Sequence, residues 1–444
     1  MVSSTLAIWM NGELVGTWSV DRGSHRLTYD KTWLDSPRRR SLSLSLPITS
    51  ALEIRGQVVA NYFDNLLPDN ERIRERIARR YKTKSIEVFE LLQAVGRDCV
   101  GAVQLLPEGT EPQGWDEING EPLSEHQVAE VLRATPSQAV LGQAQDDDLF
   151  RISMAGAQEK TALLFTNNRW HRPLGATPTT HILKLPLGLV GGSRRVDLSD
   201  SLENEWLCAY ILYDLHLPVA VTEMWRFEDQ KALVVTRFDR SRQVGERGQE
   251  WIARLPQEDF CQALGCPPSK KYEKDGGPGI ADGMRLLAGS ADGGDRQSFA
   301  LTQLAFWLMG ATDGHAKNYS IFLERGDTYI TTPLYDVLSI FPYEGDGANQ
   351  FRWRKVGPAM ALRSKNVHWH FYDIEARHWH ALAMKVGGPM VWEAMVRLVE
   401  RVAPSLDQVG RTLPQDFPPR TWDAISQGMR SQAARFLGGL AGLR

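Results

Sequence analysis

The chain has 444 residues, 42% hydrophobic and 24% charged, with a net charge of −3. That length holds two or three domains with their own cores, and the composition is that of an ordinary globular protein. The charge argues against a dominant polyanion-binding surface and leaves room only for local basic patches. Four cysteines (Cys99, Cys208, Cys261, Cys266) make no disulfide framework in so long a chain, so a reducing cytoplasm is the expected location. The last two lack the paired spacing of a zinc site. "MVSSTLAIWMNGELVG" has no basic leader region and reads as a strand and turn, not a signal peptide. The longest apolar run, around Leu301 to Met309, is too short to span a bilayer.

Residues 1–108 read as a first domain. Short strands are expected at "TLAIWM", "LVGTWSV", "HRLTYD" and "SLSLSLPI", followed by helices. "NLLPDNERIRERIARRY" is a helix with Pro68 and Asp69 as stop and cap, and "SIEVFELLQAV" is another capped by Ser85. The acidic "LPEGTEPQGWDEINGEP" reads as a linker. In a second domain, 109–250, "FRISM" and "EKTALLF" are strands flanking "AGAQ", "NNR" is a turn, and "THILKLP" is an apolar strand. "SDSLENEWLCAYILYDL" is a helix capped by Ser199 or Asp200, and "VTEMWRF" and "ALVVTRF" form a hairpin around "EDQK". From 251 to 444 the pattern is mainly helical, broken by the Gly-rich "KDGGPGIADG" and by "GATDGHAKNYSIFL".

That last stretch carries the chemistry. Asp313 and Asn318 stand five apart, the spacing of a kinase catalytic loop, where the Asp accepts the proton of the attacking hydroxyl and the Asn holds Mg²⁺. A second metal-binding carboxylate should follow a short hairpin. "YSIFL", "ERGD" and "TYI" supply the hairpin, and Asp336 in "LYDV" supplies the carboxylate. Upstream, Lys184 on the strand "ILKLP" can reach phosphates, steadied by Glu205 on the next helix, with Glu203 as the competitor. The loop "SMAGAQ" could cover phosphates with backbone N–H groups, although one glycine makes it a poor Gly-rich loop. Each feature alone has an ordinary explanation: an edge lysine, a solvated glutamate, a chance Asp–Asn pair. The order of all of them points to phosphoryl transfer. "HWHFYDIEARHWH" holds His368, His370, His378 and His380 with Asp373 and Glu375, but the spacing makes no single helical face for a metal. "SPRRRS", "RIRERIARRYK" and "FRWRK" read as solvated basic faces.

Almost end to end, the chain resembles the HipA family of bacterial serine/threonine kinases, the toxin halves of toxin–antitoxin pairs. The matching stretches are "FDNLLPD", "VGRD" with "VGAV", "RISMAGAQEKTALL", "TPTTHILKLP", "NE" at 204–205, "RFDR", "RLPQEDFCQ", "KYEKDGGPGIA", "GATDGHAKN" and "YDVLS". The resemblance implies an α+β, two-lobed protein-kinase-like fold with an added N-terminal α+β subdomain and a mainly helical C-terminal lobe. It implies ATP and Mg²⁺ as cofactors, Asp313 as catalytic base, and Asn318 and Asp336 as metal ligands. Lys184 would contact phosphates, paired with Glu205. Met154, Ala155, Gly156, Ala157 and Gln158 would form the phosphate-covering loop. Thr236, Arg237 and Phe238 would form the adenine hinge, largely through backbone; Thr236 stands where the family's best-known member has Glu. His315 and Lys317 would be secondary nucleotide contacts, and Ser153 a self-inactivating autophosphorylation site. The implied partners are a dimeric HipB-like helix-turn-helix antitoxin, operator DNA reached through it, and an aminoacyl-tRNA synthetase substrate, glutamyl-tRNA synthetase above all. Two other functions fit: a corepressor acting chiefly through the antitoxin–operator complex, and a small-molecule or lipid kinase on a related fold.

Overall fold

A computed structural model of the chain describes residues 4–136, 158–190 and 195–443. They form two compact units. The first takes residues from 1–185, 225–269 and 320–329, the second 186–224, 270–319 and 330–444. The fold is α+β in both.

In the first unit an antiparallel sheet runs in the order Glu53–Arg55, Ser24–Tyr29, Glu13–Asp21, Ser4–Met10, Gln104–Pro107. Its first hairpin turns on Asn11 and Gly12, with φ of 45° and 81°, the left-handed pair that a two-residue turn needs to match strand twist. Trp18 packs flat on Phe63 at 3.9 Å between centroids, tying the sheet to the helix Gln57–Asp64. The expected strand over "SLSLSLPI" is instead a turn closed by an isolated Ser43–Leu46 bridge. Alternating Ser and Leu satisfies strand periodicity, but the chain uses Ser hydroxyls locally: Ser43 Oγ accepts the Ser45 amide, and Ser41 Oγ that of Ile48. The helix after Pro68 begins at Glu71 and is capped by Asn70, not Asp69; Asn70 Oδ1 accepts the Arg72 amide. Ser85 likewise accepts the Glu87 amide one turn before the helix Val88–Val95 and does not cap it.

A second sheet in this unit holds Gln230–Thr236, His181–Lys184, Lys160–Thr166, Arg169–Pro173 and Gly120–Pro122 in that order, with Thr222–Phe227 outside the first. The stretch read as a linker therefore contributes its end, Gly120–Pro122, as an edge strand. The "NNR" turn is present, with Asn167 and Asn168 both left-handed at φ 51° and 57°. Beyond residue 250 the pattern is less purely helical than expected. Strands Glu250–Arg254 and Gln257–Asp259 belong to this unit, and the latter pairs antiparallel with Ser320–Leu323.

The second unit is built on the helices Ser201–Asp214, Asp295–Met309, Ala376–Val386, Pro389–Thr412 and Pro419–Gly438. Trp307 lies at its centre, almost wholly buried, its Nε1 donating to Phe371 O at 3.2 Å. Among the described residues no helix is long and apolar enough to cross a membrane.

Candidate active site

The helix Asp295–Met309 ends on Gly310, left-handed at φ 61°, whose amide bonds back to the last turn. The chain then enters the Asp313–Asn318 loop. A Cβ on Gly314 would lie 2.5 Å from the Phe306 ring, so only glycine lets the loop sit this close to the helix. The five-residue spacing closes the loop on itself. The main-chain carbonyl of Asp313 accepts the His315 amide at 2.8 Å and Asn318 Nδ2 at 2.7 Å. That bond holds the Asn318 amide by its nitrogen; the amide's other atom, Oδ1, is of the type a hard cation prefers. His315, Lys317 and Asn318 are buried, whereas the Asp313 side chain is 47% exposed. The loop therefore presents one carboxylate outward.

Asp336 comes to the same loop. Its neighbour Tyr335 donates its hydroxyl to Lys317 O at 2.8 Å. Asp336 itself is left-handed at φ 61°, a region that Asp enters more readily than most non-glycine residues, and the segment around it is held by neighbouring elements. The surroundings are visible on both sides. Leu334 exchanges backbone bonds with Pro218 and Ala220, at 2.9 and 2.8 Å. Ser339 is held by the fully buried Asn204, whose amide donates to Ser339 O and accepts from Ser339 N, both at 2.8 Å. Ser339 Oγ donates in turn to Met309 O at 2.6 Å, at the end of the helix that leads into the loop. The neighbour of Glu205 in sequence is thus bonded to the segment after Asp336. Glu203 and Glu205 are both buried, so both face inward and the structure does not single out one of them.

The remaining expected residues lie in the first unit. Lys184 ends its strand opposite Lys160 and Leu233 and is buried; Gln158 Nε2 donates to Leu185 O at 2.6 Å. Thr236 is exposed opposite His181. Ser153, Met154, Ala155, Gly156 and Ala157 lie outside the described residues. Arg237 is fully committed to its own unit. Its guanidinium reaches Asp239 at 2.8 Å, Thr179 Oγ1 and Cys99 O at 2.9 Å, and Asp98 at 3.4 Å. Any nucleotide contact from this position falls to its backbone, and its amide already donates to Thr180 O.

Around Arg237 lies a cluster that sequence reasoning missed. Asp98 also receives Arg240 at 3.0 Å, Arg254 at 3.2 Å and the Thr179 hydroxyl at 2.7 Å. Burial pushes the Asp98 carboxyl pKa upward, but Arg240, Arg254 and Arg237 together outweigh it and hold the group well below the usual carboxylate range. Three guanidiniums face two carboxylates here; main-chain carbonyls of Cys99, Gly101, Thr179 and Ala176 take the other donors. Cys99, its thiol pushed up to about 12 by burial and by Asp98, is no nucleophile. Also missed were Tyr272, whose hydroxyl donates to Asp313 Oδ1, and Asn204. Asp98, Thr179, Arg237, Asp239, Arg240, Arg254, Tyr272 and Asn204 stand inside the quoted motifs "VGRD", "TPTTHILKLP", "RFDR", "RLPQEDFCQ", "KYEKDGGPGIA" and "NE", but nothing in one chain says which motif meets which.

An α+β fold with an Asp–Asn loop, and with a second Asp directly after a tyrosine that bonds that loop, is of the protein-kinase-like class. The comparisons narrow this. Residues 6–106 match the HipA N-terminal domain and 152–409 the HipA-like C-terminal domain. A putative kinase, Y4mE, of Sinorhizobium fredii is 31% identical over 418 residues, 92% of each chain. The serine/threonine-protein kinase toxin HipA of Shewanella oneidensis is 27% identical, covering 77% of this chain and 76% of that one. The solved complex of Shewanella oneidensis HipA, HipB and operator DNA contains a chain of the same fold, with a TM-score of 0.79, 23% identity and 99% of both chains covered. The chain belongs to the HipA family.

Proposed function

We propose that the protein is an ATP- and Mg²⁺-dependent serine/threonine protein kinase acting as the toxin of a toxin–antitoxin pair. The observation that carries this reading is the loop geometry: an outward Asp313 carboxylate, with Asn318 fixed behind it and Asp336 drawn to the same loop through Tyr335 and Lys317. Asp313 accepts the proton of the acceptor hydroxyl. Asn318 Oδ1 and the Asp336 carboxylate are the donor types that a hard cation takes, and bound Mg²⁺ would neutralise phosphate charge there. The further nucleotide contacts proposed are Lys184, with Glu205 as its proposed ion-pair partner, for the phosphates, the backbone of 236–238 for the base, and His315, Lys317 and residues 154–158 as additional phosphate contacts. An aminoacyl-tRNA synthetase, glutamyl-tRNA synthetase first, is the proposed target, and Ser153 the self-phosphorylation site. A HipB-like antitoxin dimer is the proposed partner, in line with the complex of the Shewanella relative.

The test is phosphoryl transfer from labelled ATP to a panel of purified synthetases and to the protein itself. Asp313→Asn should lower transfer by about 10²-fold or more while ATP binding survives. Asn318→Ala and Asp336→Ala should instead raise the Mg²⁺ concentration needed for nucleotide binding. Peptide mapping of the wild type should find phosphate on Ser153. Wild-type transfer by Asp313→Asn would remove the assignment of the base, and unchanged Mg²⁺ dependence in both other variants would remove that of the metal ligands.

A further inference from the structure

The loop that carries Asp313 is docked against a second loop to which no role has been given. Lys271 O accepts the Ala316 amide at 3.1 Å. The Tyr272 ring stands edge-on to the His315 ring at 4.8 Å, and its hydroxyl donates to Asp313 Oδ1. The Tyr272 ring is itself fixed. Lys271 and Lys274 ammoniums lie over it at 5.4 and 5.3 Å, and Tyr272 O accepts the Gly277 amide at 3.0 Å. A Cβ on Gly277 would fall 1.8 Å from Lys270 O, so the loop can close this tightly only with glycine there. Next door, Glu273 accepts the Ala361 amide and an Arg363 guanidinium, which fixes the loop from its other side.

Among the described residues two side chains approach the Asp313 carboxylate, and both come to the same oxygen. Tyr272 bonds Oδ1, and His315 Nε2 lies 3.7 Å from Oδ1. Among the described residues nothing bonds Oδ2, and the side chain is half open to solvent. A carboxylate gripped by one oxygen has lost its rotation and offers the other in a fixed direction.

We infer that Tyr272 is a positioning residue for phosphoryl transfer, holding Asp313 by Oδ1 so that Oδ2 faces the acceptor hydroxyl. This rests on the kinase reading. In the step it serves, the acceptor oxygen bonds the γ-phosphorus, the bond from that phosphorus to the bridging oxygen breaks, ADP leaves, and the hydroxyl proton passes to Oδ2. Tyr272 transfers nothing. It removes the search over carboxylate orientations, a contribution that appears in turnover and not in nucleotide affinity.

Tyr272→Phe tests this, because it keeps the ring, its contacts with His315 and both lysines, and the backbone, and deletes one hydroxyl. Steady-state kinetics on the full chain should show kcat reduced about 10- to 100-fold. KM for ATP, the Mg²⁺ dependence and the thermal midpoint should stay at wild-type values. A kcat within twofold of wild type overturns the inference. A raised kcat overturns it too, since the phenol would then be occupying the place of the acceptor hydroxyl. A parallel loss in ATP affinity would make Tyr272 a ligand contact instead. Asp313→Asn is run alongside. If that variant is as active as wild type, the kinase reading of Asp313 fails. If it is inactive while Tyr272→Phe is normal, only the present inference fails.

Discussion

Glu258 shows what burial does to one side chain. It sits fully buried on the strand Gln257–Asp259, opposite Ile321, with the Leu44 amide on its Oε1 at 2.9 Å. Burial drives its carboxyl up to about 8; the Leu44 and Ser43 bonds oppose the rise and Asp259 adds to it. The folded protein therefore keeps this proton at neutral pH, whereas the unfolded chain releases it near the ordinary 4.5. Between those values the folded state binds more protons, so this group's contribution is full below about 4.5 and is lost as pH rises towards 8. Glu258→Gln should match wild type in thermal midpoint near pH 5, exceed it at pH 8, and show a flatter profile between. Parallel profiles for the two proteins across that range would mean that Glu258 is not protonated in the fold. Nothing in "RLPQEDFCQ" distinguishes this glutamate from a surface one, because the sequence does not show that the 41–48 turn closes over it.

At the scale of elements, local signals were legible and cross-chain ones were not. The hairpins, the helix Ser201–Asp214 and the turn at Asn167–Asn168 follow from periodicity and turn chemistry. The misread strand at 41–48 had the right period but served itself with its own hydroxyls. The Asp98 cluster lay beyond reach for another reason: it joins four stretches, at 98–101, 176–180, 237–240 and 254, that no spacing rule connects. Its consequence is testable. Asp98→Ala would leave Arg237 and Arg240 with Asp239 and take from buried Arg254 the carboxylate it bonds, which should cost about 3–5 kcal/mol. Because the cluster pins these stretches to one another, amide exchange should accelerate in all of them together, including the 236–238 segment proposed as the hinge. Asp98→Asn, which keeps an acceptor oxygen, should do so less. Unchanged exchange at 237–240 in Asp98→Ala would show that the arginines hold those segments through main-chain carbonyls without the carboxylate.

For the whole molecule, motif order along the chain was more informative than any single motif. The Asp–Asn loop and the later Asp could be read as chemistry because each residue type has few roles at that spacing; Tyr272 could not, since a tyrosine has many. The same distinction governs partners, whose surfaces leave no sharp motif. The net charge of −3 still constrains them. Affinity for DNA comes mostly from cations that displace counterions from phosphates, and this chain has no excess of them; segments such as Arg352, Arg354 and Lys355 are only locally basic. If a dimeric antitoxin tethers the protein to an operator, two copies should flank one antitoxin dimer and follow its two-fold symmetry. The antitoxin should then supply nearly all the affinity. In gel shifts at physiological salt the isolated protein should leave operator DNA unbound, the antitoxin should retard it, and adding the protein should supershift that band with little change in midpoint. Light scattering of the purified complex should give the mass of two chains per antitoxin dimer. Tight operator binding by the isolated chain at that salt would contradict this division of labour and would place a nucleic-acid surface on the protein itself.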